Sequence, residues 1–156
     1  MFLVNKMYKN RLSQLEYRNN IKQRETAKKL GISEGLYSRY KNEVQIFPIK
    51  KLVNLCNIYN ISLDYIFEFT DRMNYPYIDC EINIELLSKR LKEFRNKSKL
   101  TQEKLANILS IGKGTIAEYE NGKYTLSTYS LFIICSKYHI SADYLLGRTD
   151  INMRMC

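Results

Sequence analysis

The stretch Leu100 to Lys123, LTQEKLANILSIGKGTIAEYENGK, decides how this chain folds. Leu105, Ala106 and Leu109 recur at helical spacing, and so do Ile116 and Tyr119. Thr101 stands where an N-cap belongs, and Asn121-Gly122 where a helix stops. Only Ser110, Ile111 and Gly112 separate the two segments, so the spacing predicts two short helices joined by a tight turn. The second helix opens on Lys113, Gly114 and Thr115. Glycine inside a helix costs about 1 kcal/mol against alanine. With Gly114 there, either that end is loose or something must come close to it.

Working outward, Leu87, Leu91 and Phe94 mark a helix before the pair. After it, Leu131, Ile134, Cys135 and Tyr138 mark a fourth helix begun by Ser127, and Ser141 caps a short fifth with Tyr144 and Leu145. The same skeleton occurs earlier in the chain. A shift of 79 positions sets Arg11 to Asp71 over Arg90 to Asp150 without a gap, with roughly 18 identities in about 61 pairs. LVNLCNIYNISLDYIFEFTD (52–71) lies over LFIICSKYHISADYLLGRTD (131–150), matching Cys56 to Cys135 and Asp64-Tyr65 to Asp143-Tyr144. Each copy is long enough to be a domain. The expected organisation is a first domain over 1–71, a linker over 72–84, a second domain over 85–150 and a short tail over 151–156. The linker has a proline and alternates Ile78, Cys80, Ile82 and Ile84, which reads as a short extended segment lying on a domain, unlike a flexible Gly/Ser tether. The predicted fold class is all-α, with five helices in each copy.

Composition bounds the function. The 156 residues are 45% hydrophobic and 26% charged, the balance of a soluble globular protein, and no apolar run approaches a membrane span. A cytoplasmic location with no membrane partner is expected. The net charge of +9 suggests a polyanionic partner, but 1–79 carries +5 and 80–156 carries +4, so charge does not choose between the copies. Four cysteines without a Cys-x-x-Cys pair, and a single histidine, His139, do not make a zinc site, and no cofactor is expected. Cys56 and Cys135, at one equivalent position, read as small buried hydrophobes. No phosphate-binding loop or nucleophile elbow occurs, so an enzyme is not expected.

A helix-turn-helix of this kind lets its second helix enter a major groove while the first crosses the phosphate backbone. Gly112 and Gly114 would let the N-terminal end of that helix approach DNA, with backbone N–H groups aimed at phosphate. Lys113 adds positive charge, and Thr115 offers a hydroxyl and a methyl to base edges. Residues 86–150 resemble a Cro/cI-type (XRE family) domain of the lambda-repressor-like fold, through LTQEKLA, TIAEYENGK and SADYLLG. Residues 8–71 resemble it more weakly, through QRETAKKLGISEGLYSRYKNE and ISLDYIF.

The resemblance implies a phosphate contact from Gln102, base reading by Lys113, Thr115 and Glu118, and backbone contacts from Asn121 and Lys123. It also implies an ion pair between Arg95 and Glu120, which in the first copy becomes Glu16 with Lys41, its charges reversed. In place of Lys113, Thr115 and Gly122 the first copy has Glu34, Leu36 and Glu43: an acidic start, an exposed leucine and no closing glycine. The second copy is thus the expected DNA reader and the first is expected to serve dimerisation or a weaker half-site, with Gln23, Arg24, Lys28 and Arg39 as its secondary set. The first copy keeps the turn glycine at Gly31, where Ser110 is expected to strain the second turn slightly.

The implied protein is a transcriptional regulator, a repressor of phage or mobile-element kind. It would bind double-stranded DNA as a homodimer, controlled by a regulatory protein partner or by its abundance. A self-cleaving C-terminal domain is not expected after Asp150. The alternative is an antitoxin-like module whose helix-turn-helix face has become a protein interface.

Overall fold

A computed structural model describes residues 6–154. It divides into two units, 1–76 and 77–156, and each builds five helices; no strand occurs among the described residues. In the first unit these are α1 (Lys9–Asn19), α2 (Gln23–Leu30), α3 (Glu34–Lys41), α4 (Ile49–Ile58) and α5 (Leu63–Ile66). In the second they are α6 (Ile84–Lys97), α7 (Gln102–Leu109), α8 (Lys113–Glu120), α9 (Thr128–Tyr138) and α10 (Ala142–Leu145). The all-α, tandem five-helix reading holds. No helix among the described residues is long and apolar enough to cross a membrane.

Local chemistry sets the boundaries. Thr101, Ser127 and Ser141 each accept a hydrogen bond from a backbone N–H three residues on, starting α7, α9 and α10; this satisfies one of the donors that the first turn leaves orphaned. Asn83 does the same for α6. Tyr8, the N-cap of α1, makes no side-chain cap bond. Instead the carboxylate of Glu43, more than thirty residues away, accepts the N–H groups of both Tyr8 and Lys9, at 3.0 and 3.1 Å. Glu43 takes the left-handed conformation (φ 59°) that Gly122 takes in the second unit (φ 72°). The missing glycine thus has a compensating role for its replacement.

The cores follow the repeated apolar positions. Leu12, Leu30, Leu52, Cys56 and Ile66 are buried in the first unit, and Leu91, Leu109, Leu131, Cys135 and Leu145 match them in the second. Each such side chain is worth about 1.5 to 3 kcal/mol of burial. In the first unit Phe47 sits among Tyr8, Tyr37 and Tyr40, the last stacked on it at 4.9 Å. Phe47 N–H donates to the Tyr8 hydroxyl at 2.8 Å, and burial pushes that hydroxyl up to about 12.

The stretch 72–84 is shared out between the units. Ser62 N–H donates to Met73 O at 2.7 Å, and the Tyr75 hydroxyl donates to the buried Asp64 at 2.8 Å, within the first unit. Within the second, Asp79 N–H and Asn83 N–H donate to Arg148 O and Leu146 O. Ile78, Ile82 and Ile84 are half-buried, whereas Cys80 is exposed. The ends of the internal repeat also meet: Arg11 pairs with Asp71 at 2.7 Å and Arg90 with Asp150 at 3.3 Å. Both aspartates are nearly fully exposed, so these pairs hold little stability.

Candidate nucleic-acid interface

In the second unit α7 packs on α8, and α6 packs beneath α8. Ile116 and Tyr119 bury the inner face of α8, so the helical period turns Gly114, Ala117, Glu118 and Asn121 outward. Lys113 is exposed at the first position, and Thr115 is half-buried at its flank. A Cβ at Gly114 would meet nothing within 4 Å, so no internal contact requires glycine there. Gly112, the N-cap, brings no side-chain acceptor to the first turn. Two open N–H donors and a helix dipole remain at that end, beside Lys113.

Glu118, Lys123 and Gln102, also expected to contact DNA, are tied into the protein. Glu118 and Lys123 bond to each other at 2.8 Å on the surface, and that hydrogen bond raises the Lys123 pKa. Gln102, half-buried at the start of α7, donates to Glu120 at 3.0 Å. Asn121 is exposed just past the end of α8.

Glu120 is the hub beneath this surface. Arg95 donates from two guanidinium nitrogens to its two carboxylate oxygens, the longer bond being 3.1 Å, and also to Leu100 O. Burial alone would raise the Glu120 carboxyl, but the hydrogen bonds from Arg95 and Gln102 outweigh it and hold the group below its ordinary value. This joins α6, α7 and α8 at one point. In the first unit Lys41 pairs with Glu16, and the Tyr37 hydroxyl donates to the same carboxylate at 2.7 Å. Burial, and then Glu16, raise the Tyr37 pKa. Ile116 replaces Tyr37 in the second unit, where the carboxylate lies on the third helix and Gln102 supplies the extra donor. Helical spacing with Tyr40 marks Tyr37 as a core position, but nothing in that spacing marks its hydroxyl as the donor to Glu16.

The first unit's equivalent surface differs. Ser33 caps α3 with its own side chain, accepting Leu36 N–H at 3.1 Å. Arg24, Lys28 and Arg39 are exposed and Gln23 is half-buried. Leu36, expected to be exposed, is half-buried because it lies toward the flank of α3. The exposed apolar residues are Val44 and Ile46, in place of Lys123 and Thr125. Ser110, in place of Gly31, does take the left-handed conformation (φ 56°).

Sequence comparisons agree with this geometry. A family model of the helix-turn-helix, HTH_3, matches residues 14–66 and again 91–145. The HTH-type transcriptional regulator ImmR of Bacillus subtilis (strain 168) is 37% identical over 68 residues, 44% of this chain and 54% of ImmR. YobD, an uncharacterized HTH-type transcriptional regulator of the same strain, is 36% identical over 114 residues, 69% of this chain and 94% of YobD. The antitoxin PezA of Streptococcus pneumoniae (serotype 4, strain ATCC BAA-334 / TIGR4) is 34% identical over 62 residues, 40% of this chain and 39% of PezA. This chain thus spans only about half of ImmR and less of PezA. No solved structure is a significant match. Two family matches that together cover more than half of the chain, on two copies of one five-helix frame, place it in the XRE-type helix-turn-helix family of DNA-binding proteins.

Proposed function

We propose that this protein is a sequence-specific regulator of transcription that binds double-stranded DNA, a repressor of the phage or mobile-element kind, and that α8 is its principal reading helix. The observation that carries this is the outward end of α8. It joins an uncapped N-terminus, Lys113 and the open space over Gly114, the combination a helix needs to seat its first turn in a major groove. Lys113 and Thr115 read base edges, while Lys123, released from Glu118, contacts phosphate.

Selection of bound sequences from random duplex DNA with the intact chain tests this. One motif is expected. Lys113→Ala and Thr115→Ala should relax preference at single positions, by about 1 to 3 kcal/mol each, whereas Lys123→Ala should weaken all duplexes alike. Equal loss on every sequence from all three changes would refute the assigned roles.

A second reading, a protein-binding module, draws on two observations: the exposed Val44 and Ile46 beside α3, and the naming of one relative as an antitoxin. A tight protein complex insensitive to salt, together with no enriched duplex, would favour it.

A further inference from the structure

Just past the end of α3 the first unit exposes an apolar pair ringed by cations. Val44 and Ile46 are 70% and 51% exposed, with exposed Gln45 between them. The backbone beneath them is held: the N–H groups of Val44 and Gln45 both donate to Arg39 O, at 3.0 and 3.2 Å, and the next residue, Phe47, is buried among tyrosines. Apolar exposure concentrated at one fixed place marks an interaction surface.

The charges around the pair are of one sign. Arg39 before it and Lys50 on the first turn of α4 are exposed, and half-buried Lys9 opens α1 beside Glu43. None of the three forms an ion pair among the described residues. The loop's own carboxylate, Glu43, is turned inward onto the N–H groups of Tyr8 and Lys9. Glu34, the acidic residue of α3, lies five residues before Arg39, about 7.5 Å along the axis and about 140° around it. In the second unit Lys123 and Thr125 stand in place of Val44 and Ile46, and Glu118 and Tyr129 in place of Arg39 and Lys50. A cationic centre there has become an apolar centre with a cationic rim here.

We propose that this loop docks a segment of another protein that presents an apolar pair between carboxylates, an acidic amphipathic stretch. A phosphate backbone suits the loop poorly, because its charged oxygens would lose water against Val44 and Ile46, which offer no donor. A peptide meets both parts: its apolar side chains cover Val44 and Ile46 while its carboxylates reach Arg39 and Lys50. This docking stands on the first unit's own surface and does not depend on α8 reading DNA.

Selection of random short peptides displayed against the intact chain tests the docking. Enriched peptides should carry Asp or Glu on both sides of an apolar pair. Titrated as a labelled synthetic peptide, the enriched sequence should bind Arg39→Glu and Lys50→Glu about tenfold or more weakly, because like charges then face each other. Val44→Ser with Ile46→Thr should weaken it by about tenfold or more through lost apolar burial. Lys137→Glu, the same reversal at an exposed site in the second unit, should change nothing. Unchanged helical circular dichroism and melting temperature in every variant would show that folding is intact.

No enriched peptide, enriched peptides without carboxylates, equal binding by V44S/I46T, or an equal loss from K137E would each overturn the docking. So would a chain that sediments as a dimer until V44S/I46T is introduced, which puts a second copy on the loop, or duplex binding lost in R39E and K50E, which puts phosphate there. A peptide bound as described, with no duplex enriched from a random pool, upholds the docking and removes the DNA reading. An enriched duplex with no enriched peptide does the reverse.

Discussion

Gly114 costs α8 about 1 kcal/mol against alanine, and nothing within 4 Å of its missing side chain explains it. The same glycine stands at Gly35 in the first unit, again in open space. Replacing Gly114 by alanine should therefore raise the stability of the second unit by about 0.5 to 1 kcal/mol, while weakening DNA binding if the helix seats with its backbone against the duplex. Thermal melting and duplex titration of one variant check both halves, and improved melting with unchanged binding would remove the reason offered for the glycine. Gly147 is the opposite case. It takes φ +73°, and a Cβ there would lie 2.7 Å from that of Asn83, the N-cap of α6. Gly147→Ala should displace that cap and cost more than 2 kcal/mol, or about 1 to 2 for the backbone alone, measured by denaturant unfolding.

At the level of elements, the two units solve one problem with reversed charges. A cation on the first helix and a carboxylate on the third in the second unit become a carboxylate on the first and a cation on the third in the first unit. The accompanying donors differ accordingly, Gln102 for one carboxylate and Tyr37 for the other. The Glu120 carboxyl is held below its ordinary value, so its contribution is fully present above the unfolded carboxylate pKa near 4.3 and is lost as pH falls through the lower folded value. Stability of the wild type should fall over that acid window. Glu120→Gln should be less stable at neutral pH by on the order of 3 kcal/mol, since Arg95 loses its counter-charge, and should show a flatter acid limb. Denaturant titrations at several pH values would test this, and an acid limb equally steep in the variant would assign it to other carboxylates.

For the whole molecule, the asymmetry between copies outweighs the similarity of their net charges. Basic residues are spread over both, yet only the second combines a cation at the start of the third helix with a lysine after its end. Binding by this protein should weaken with salt, log K falling by about 0.9 per log unit of salt for each phosphate neutralised. Replacing Lys123 should reduce the slope by about one phosphate, and replacing Arg39 should leave it unchanged. A slope lowered by Arg39→Ala and not by Lys123→Ala would move the reading helix to the first unit.

The tandem repeat, the ten helices and the caps Thr101, Ser127 and Ser141 were legible in the sequence, because helix period, capping residues and stop signals act over three or four residues. The outward set on α8 followed from that period as well. The reversal of sign between Arg95–Glu120 and Glu16–Lys41 was readable because both copies could be laid side by side. Distance along the chain hid the rest. That Glu43 caps α1 and that the Tyr37 hydroxyl donates to Glu16 depend on which remote segment arrives beside each group. The half-burial of Leu36 and the exposure of Val44 and Ile46 have the same origin. Local pattern determined which helices form; tertiary packing alone decided which polar groups are satisfied from afar and which apolar ones stay exposed.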